Sequence, residues 1–202
     1  MEDFGSAPLR RLLDAHPDAV VSTHADLGDA TAVVREFSLV EAMRFLRDDP
    51  TTRFEMLSDV CAVDYLPRSP RFEVVYHLYS VPHNHRVRIK AGVEEEAPVV
   101  PSAVPLWPIA NWLEREVWDM YGLRFADHPD LRRLLLYEQF EGHPLRKDFP
   151  LTGFVEVRYD DEQKRVLYEP VRLAQEFRNF DFLSPWEGAG YVPLPGDEKA
   201  KG

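Results

Sequence analysis

Along the first half of the chain the spacing of apolar positions switches between helical and strand periods. Leu9, Leu12 and Leu13 follow Ser6-Ala7-Pro8, a Ser cap with Pro in the first turn, so a helix is expected up to His16-Pro17. β-branched runs at 19–24 and 31–37 predict two strands around a turn at Asp26–Asp29. Ser38-Leu39-Val40-Glu41 has the capping-box pattern, and Leu39, Met43 and Leu46 continue it as a second helix until Asp48-Asp49-Pro50. Phe54 to Tyr65 reads as a third strand. Residues 71–79 alternate, with Phe72, Val74, Tyr76 and Leu78 on one side, and 86–90 set Val87 and Ile89 against Arg86, Arg88 and Lys90. This α-β-β-α-β-β-β order predicts an α+β, two-layer domain with helices on one side of a mixed sheet.

Prolines 98, 101 and 105 then interrupt the pattern. From Pro108 a helix is expected through WPIANWLEREVWDMYG, with Ile109, Trp112, Leu113, Val117, Met120 and Tyr121 on one stripe and Gly122 as its C-cap. Beyond it, Leu134-Leu135-Leu136 is too short to assign. Residues 154–159 and 165–170 alternate as a hairpin around Asp160–Gln163. The division expected is a globular domain over 1–122 and an extended segment over 123–202, carrying the hairpin and a tail too polar for a core of its own.

Charge narrows the function. Lys and Arg number 24 against 35 Asp and Glu, a net charge of −11. That disfavours a nucleic-acid or anionic-membrane binder, which needs a basic face. The single cysteine, Cys61, excludes an internal disulfide and a multi-cysteine cluster, and between Val60 and Ala62 it reads as a small buried hydrophobe. No apolar run is long enough to span a membrane, and the first residues lack a secretory apolar core, so a soluble intracellular chain is expected.

Phosphate-cradling glycine loops, a G-x-S-x-G elbow and H-E-x-x-H are all missing from the sequence. Glu114, Glu116 and Asp119 place carboxylates on the helix, but Glu114 and Glu116 lie on different sides and read as structural ion-pair formers. His128, Asp130 and His143 are the residues a stand-alone metal-dependent hydrolase would use. Arg132-Arg133 and Arg146-Lys147 suit carboxylates, carbonyls or phosphates. In EGHPLRKDFPLTG, two prolines stiffen a loop bearing charges and an aromatic but no nucleophile. Stiff Trp-, Tyr-, Phe- and Arg-rich segments without a reaction centre fit a protein interface.

The residues Glu114–Arg133, E-R-E-x-x-D-M-Y-G-x-x-F-x-x-H-P-D-L-R-R, and Gly142–Pro150, G-H-P-L-R-K-D-F-P, resemble the signature of the 30 kDa subunit family of NADH-quinone oxidoreductase, respiratory complex I. VEVRYDDEQKRV and FDFLSPWEG resemble the branch shared by mitochondria and their bacterial relatives. The resemblance implies a peripheral-arm subunit without a cofactor, in a proton-pumping holoenzyme that uses FMN, iron–sulfur clusters and quinone. It implies neighbours among the other hydrophilic complex I subunits, chiefly the quinone-site subunit and the subunit that carries the terminal iron–sulfur cluster. The complex would sit on the cytoplasmic side of the bacterial inner membrane, or the matrix side in mitochondria. Relatives in membrane-bound hydrogenases leave that assembly as an alternative. On this reading Glu114, Arg115, Asp119, Tyr121, Phe125, His128, Arg132, Arg133, His143, Arg146, Lys147, Asp148, Phe149, Phe182 and Trp186 are docking residues, with Arg146 and Lys147 meeting partner acceptors and Phe149 filling a pocket.

Overall fold

The structure, a computed structural model, describes residues 6–175. Helix α1 (Ser6–Ala15) leads into β1 (Val20–His24) and β2 (Thr31–Val34), and α2 (Leu39–Asp48) precedes the long strands β3 (Met56–Asp64), β4 (Phe72–Ser80) and β5 (His85–Val93). The expected α-β-β-α-β-β-β order is present. The five strands form one sheet in the order β1-β2-β5-β4-β3, antiparallel except for the parallel β2–β5 pair, so the sheet is mixed. That parallel pair requires a crossover, and α2, β3 and β4 lie within it.

Strand alternation explains which face is buried. Register sets Ala62 opposite Val74 and Val74 opposite Ala91, and sets Val60 opposite Tyr76 and Tyr76 opposite Ile89. These residues share one face. Leu9 and Leu12 from α1 and Leu39, Ala42, Met43 and Leu46 from α2 join them in a single hydrophobic cluster. The opposite face carries Glu73, His77, Arg88 and Lys90, all half-buried.

Two local expectations change. The 31–37 strand ends at Val34, because Glu36–Ser38 turns as a 3-10 helix. Ser38 is thereby held at φ −100°, ψ 1°, and its hydroxyl makes no cap bond, so the capping box is absent although α2 begins where it predicts.

Strand β6 (Val99–Pro101) pairs in parallel with β7 (Arg124–Ala126), and α3 (Ala110–Tyr121) is the crossover between them. The helix buries Ala110, Glu114, Arg115, Val117 and Asp119, whereas Ile109 and Trp112 are exposed. Its inward face is therefore rotated from the apolar stripe toward the polar positions. The reason is a set of backbone groups that those side chains satisfy, described below.

Strands β8 (Val155–Asp160) and β9 (Arg165–Pro170) form a separate antiparallel hairpin. Contacts divide the chain into compact units at 1–153 and 154–202, in place of the expected boundary at 122. Residues 123–153 belong to the first unit because α3 holds them through buried side chains. Phe182 and Trp186 lie outside the described residues.

Candidate docking site on helix α3 and the 123–153 segment

An α-helix leaves its last four carbonyls without intrahelical donors. In α3 each of these four finds a separate partner. The Gly122 N–H donates to Trp118 O at 2.8 Å, and the Leu145 N–H to Met120 O at 3.1 Å. His143 Nδ1 lies 2.9 Å from Asp119 O, and Arg146 Nε donates to Tyr121 O at 2.6 Å. Gly122 sits at φ 75°, ψ 17°, the left-handed C-cap geometry that glycine tolerates best. The loop of residues 141–150 therefore caps its own chain's helix. Because a carbonyl can only accept, His143 donates from Nδ1; burial pushes the ring's pKa down, and the bond to Asp119 O only partly opposes this.

Asp119 is the anchor one turn earlier. Its Oδ2 accepts from the N–H groups of Leu134, Leu135 and Leu136 at 3.0, 2.8 and 2.9 Å, and Oδ1 accepts from Arg133 at 2.7 Å. Burial pushes its pKa up, but the three N–H donors and Arg133 outweigh burial and hold it below the usual range. Arg115 reaches the carbonyls of Arg132 and Arg133, both at 3.0 Å. Arg133 also donates to Phe140 O at 2.8 Å and lies over the rings of Trp118 and Phe140. The 131–136 stretch has no regular structure because α3 side chains supply the partners that a strand or helix would have provided.

Glu114 is fully buried. It accepts from Ser102 Oγ at 2.7 Å and from the Ala103 N–H at 2.6 Å. Burial raises its pKa to about 7, although both hydrogen bonds pull the other way. His128 lies 4.0 Å away, with its side chain buried; Nε2 is 3.1 Å from Asn111 O, and Nδ1 accepts from the Asp130 N–H at 3.1 Å. With one ring nitrogen donating and the other accepting, His128 has no lone pair left for a metal. His143 uses one nitrogen on the helix end. Among the described residues His128, Asp130 and His143 do not assemble as a metal-ligating group, which removes the geometry the hydrolase alternative needs.

A second cluster ties the loop to the sheet. Arg71, buried at the start of β4, bonds Asp64 at 3.0 and 2.8 Å, Glu95 at 2.5 Å and Asp148 at 3.0 Å. The Lys147 N–H donates to Asp64 at 2.8 Å. Arg71, followed by the Lys147 and Leu66 N–H groups, holds the Asp64 carboxyl down at about 2 against burial. Arg146 lies over Phe72, 5.1 Å from the ring centre. Phe149 stacks on Phe140 with centroids 6.0 Å apart.

The expected docking residues thus separate. Glu114, Arg115, Asp119, Arg133, His143, Arg146 and Asp148 all make the bonds described within the chain, and Phe125 is buried in the core. Tyr121 and Phe149 are half-buried. Arg132 and the Lys147 side chain remain exposed, beside exposed Leu135, Leu145 and Leu151, which residue type alone did not single out. The reading of Arg146 and Lys147 as a unit changes accordingly: Arg146 closes the helix, and Lys147 alone faces outward.

The hairpin adds a surface of another kind. Register places Val155, Val157 and Tyr159 opposite Pro170, Tyr168 and Val166, so all six lie on one face, and all six are exposed. The other face carries Glu156, Arg158 and Asp160 opposite Glu169, Leu167 and Arg165. Two strands alone are marginally stable in water, so a hairpin with an exposed apolar face of this kind gains stability when that face is covered.

Among known proteins, the family model of the respiratory-chain NADH dehydrogenase 30 Kd subunit matches residues 32–155. The corresponding NADH-quinone oxidoreductase subunit of Hyphomonas neptunium is 62% identical over 185 residues, covering 92% of this chain and 91% of that protein. Its counterpart in Maricaulis maris is 57% identical over 191 residues, covering 95% and 94%. The trypsin-resistant fragment (1–134) of Nqo5 superposes with a TM-score of 0.55 at 35% identity, covering 61% of this chain and 99% of the fragment. A chain of an archaeal membrane-bound sulfane sulfur reductase, a respiratory membrane complex, superposes with a TM-score of 0.62 at 21% identity over 73% and 86%, a likeness of fold. No helix among the described residues is long and apolar enough to cross a membrane. By the family model and by identity over nearly the whole chain, this protein belongs to the family of the respiratory-chain NADH dehydrogenase 30 Kd subunit.

Proposed function

We propose that this chain is a peripheral-arm subunit of a proton-pumping NADH:quinone oxidoreductase. It braces the two neighbours that hold the terminal iron–sulfur cluster and the quinone cavity, on the cytoplasmic side of the bacterial inner membrane. FMN, the clusters and quinone belong to those other subunits, and no residue here takes a redox or pumping step. The observation that carries the bracing role is the division of labour among the polar residues. Helix α3 turns Glu114, Arg115 and Asp119 inward and uses them on Ser102, on the 132–136 backbone and on Arg133, so the signature residues build a rigid platform. The platform's exposed Arg132, Leu135, Leu145, Lys147 and Leu151, and the apolar face of the β8–β9 hairpin, supply surface for partners. A preorganised surface loses little entropy on docking, and a shift of about 1 Å in a cavity wall costs on the order of a hundredfold in rate.

The test is affinity purification of the full chain from detergent-solubilised membranes of its own cells. The expected eluate contains NADH-to-quinone reductase activity and iron–sulfur signals. A chain that elutes alone, with neither, overturns the reading.

A further inference from the structure

The half-buried face of the sheet, away from α3's anchoring residues, brings together three side chains that have no part in the docking platform. Asp59 and Cys61 lie two apart on β3, and His77 stands directly opposite Asp59 on β4. Alternation puts all three on one face. A carboxylate oxygen, the thiol sulfur and an imidazole nitrogen lie within 4.8 Å of one another. We propose that Asp59, Cys61 and His77 form a binding site for a zinc-class divalent cation.

Donor type, charge and space all support this site. Tetrahedral zinc with bonds of about 2.0–2.3 Å to nitrogen, oxygen and sulfur sets donors roughly 3.5 Å apart. Closing from 4.8 Å requires donor movements of about 1 Å, within the reach of side-chain rotation on a fixed strand pair. A sulfur and an imidazole select zinc-like ions over magnesium or calcium, which take oxygen. Of the three cations on this face, Arg88 is paired with Asp29 at 3.2 Å and Lys90 with Glu73 at 2.9 Å, while Arg86 lies over the Tyr79 ring. An Asp59 carboxylate and a Cys61 thiolate would balance a divalent ion. None of the three side chains makes a hydrogen bond or ion pair among the described residues, so no bond has to be broken for an ion to enter. A cavity of about 330 Å³, lined by Asp29, Ser58, Asp59, His77, Arg86 and Arg88, adjoins the site and leaves room for a water molecule as fourth ligand. Three protein donors plus one open position is the common pattern of an accessible zinc site.

Burial, with a smaller contribution from Arg88, pushes the His77 pKa down, which keeps its lone pair available at neutral pH. Burial and then Asp59 push the Cys61 thiol up, opposed by Arg88 and Lys90, with Glu116 adding slightly. The thiol is therefore protonated until the ion displaces its proton.

Titration of the full chain with Co²⁺, followed by Zn²⁺ competition, tests the site. The expected result is one equivalent of Co²⁺ with a thiolate-to-cobalt charge-transfer band in the near ultraviolet and the intensified visible bands of four-coordination. Cys61→Ser abolishes the charge-transfer band. His77→Ala and Asp59→Asn each weaken Zn²⁺ binding by at least about tenfold. His83→Ala with His85→Ala, removing the other neighbouring histidines, leaves the band unchanged. A wild-type chain without the band overturns the proposal whatever the variants do. So does a band that persists at full affinity in His77→Ala or Asp59→Asn, which would mark an isolated thiol, or binding lost with His83 and His85, which would place the ion elsewhere.

Discussion

Replacing Gly122 by Ala tests whether the 141–150 loop caps α3 as described. The substitution acts twice. Gly122 holds φ 75°, where an L side chain costs about 1–2 kcal/mol. A Cβ there would also stand 2.5 Å from His143 Nε2, 2.6 Å from His143 Cδ2 and 2.9 Å from an Arg146 guanidinium nitrogen. The His143 ring cannot retreat without losing Asp119 O at 2.9 Å, a bond worth about 1 kcal/mol net and more if the carbonyl is left dry. The expected loss is about 2–4 kcal/mol in urea unfolding of the full chain, seen as a lower midpoint at unchanged slope. The two contributions separate in a double-mutant cycle with His143→Ala. Without the ring the two shortest contacts disappear, leaving only the approach to the end of the flexible Arg146 side chain, and Gly122→Ala should cost about 1–2 kcal/mol, chiefly the backbone part. A cost below about 0.5 kcal/mol in the wild-type background, or the same cost with and without His143, would refute the capping argument.

Asp119→Ala should cost about 3–5 kcal/mol by leaving Arg133 and three N–H groups without their acceptor, and should speed hydrogen exchange at Leu134–Leu136 more than in β4. Asp64 and Glu114 predict opposite pH dependences. Asp64, held at about 2 against an ordinary 3.8, contributes about 2 kcal/mol that is complete above the ordinary value and lost as pH falls through about 2; Asp64→Asn should flatten that acid limb of the stability curve. Glu114, raised from 4.5 to about 7, favours the fold most below pH 4.5 and loses about 3 kcal/mol as pH rises to about 7, a slope that Glu114→Gln should remove. Val157→Ser with Tyr168→Ser should lower recovery of partner subunits in the purification described above while leaving the urea midpoint followed through Trp107 and Trp118 within about 0.5 kcal/mol.

Periodicity along the chain was enough for α1, α2, β3, β4, β5, α3 and the β8–β9 hairpin, because each element buries one side and the required spacing is local. The long motifs over Glu114–Arg133 and Gly142–Pro150 were enough for the family. Sheet order was not legible: the parallel pairing of β2 with β5 joins strands about 57 residues apart, and nothing in either strand names its neighbour. Nor was the rotation of α3. Its apolar stripe pointed to Ile109 and Trp112 as buried, but Asp119 and Arg115 turn inward because they satisfy backbone groups of 132–136, and a backbone N–H or C=O leaves no mark in residue identity. For the same reason Arg146 read as a partner contact until the helix end it closes was in place. Cys61 read as a buried hydrophobe from its neighbours on β3. Only the register that sets His77 against Asp59 gives that thiol its company, since strand pairing, unlike strand formation, is decided between distant segments.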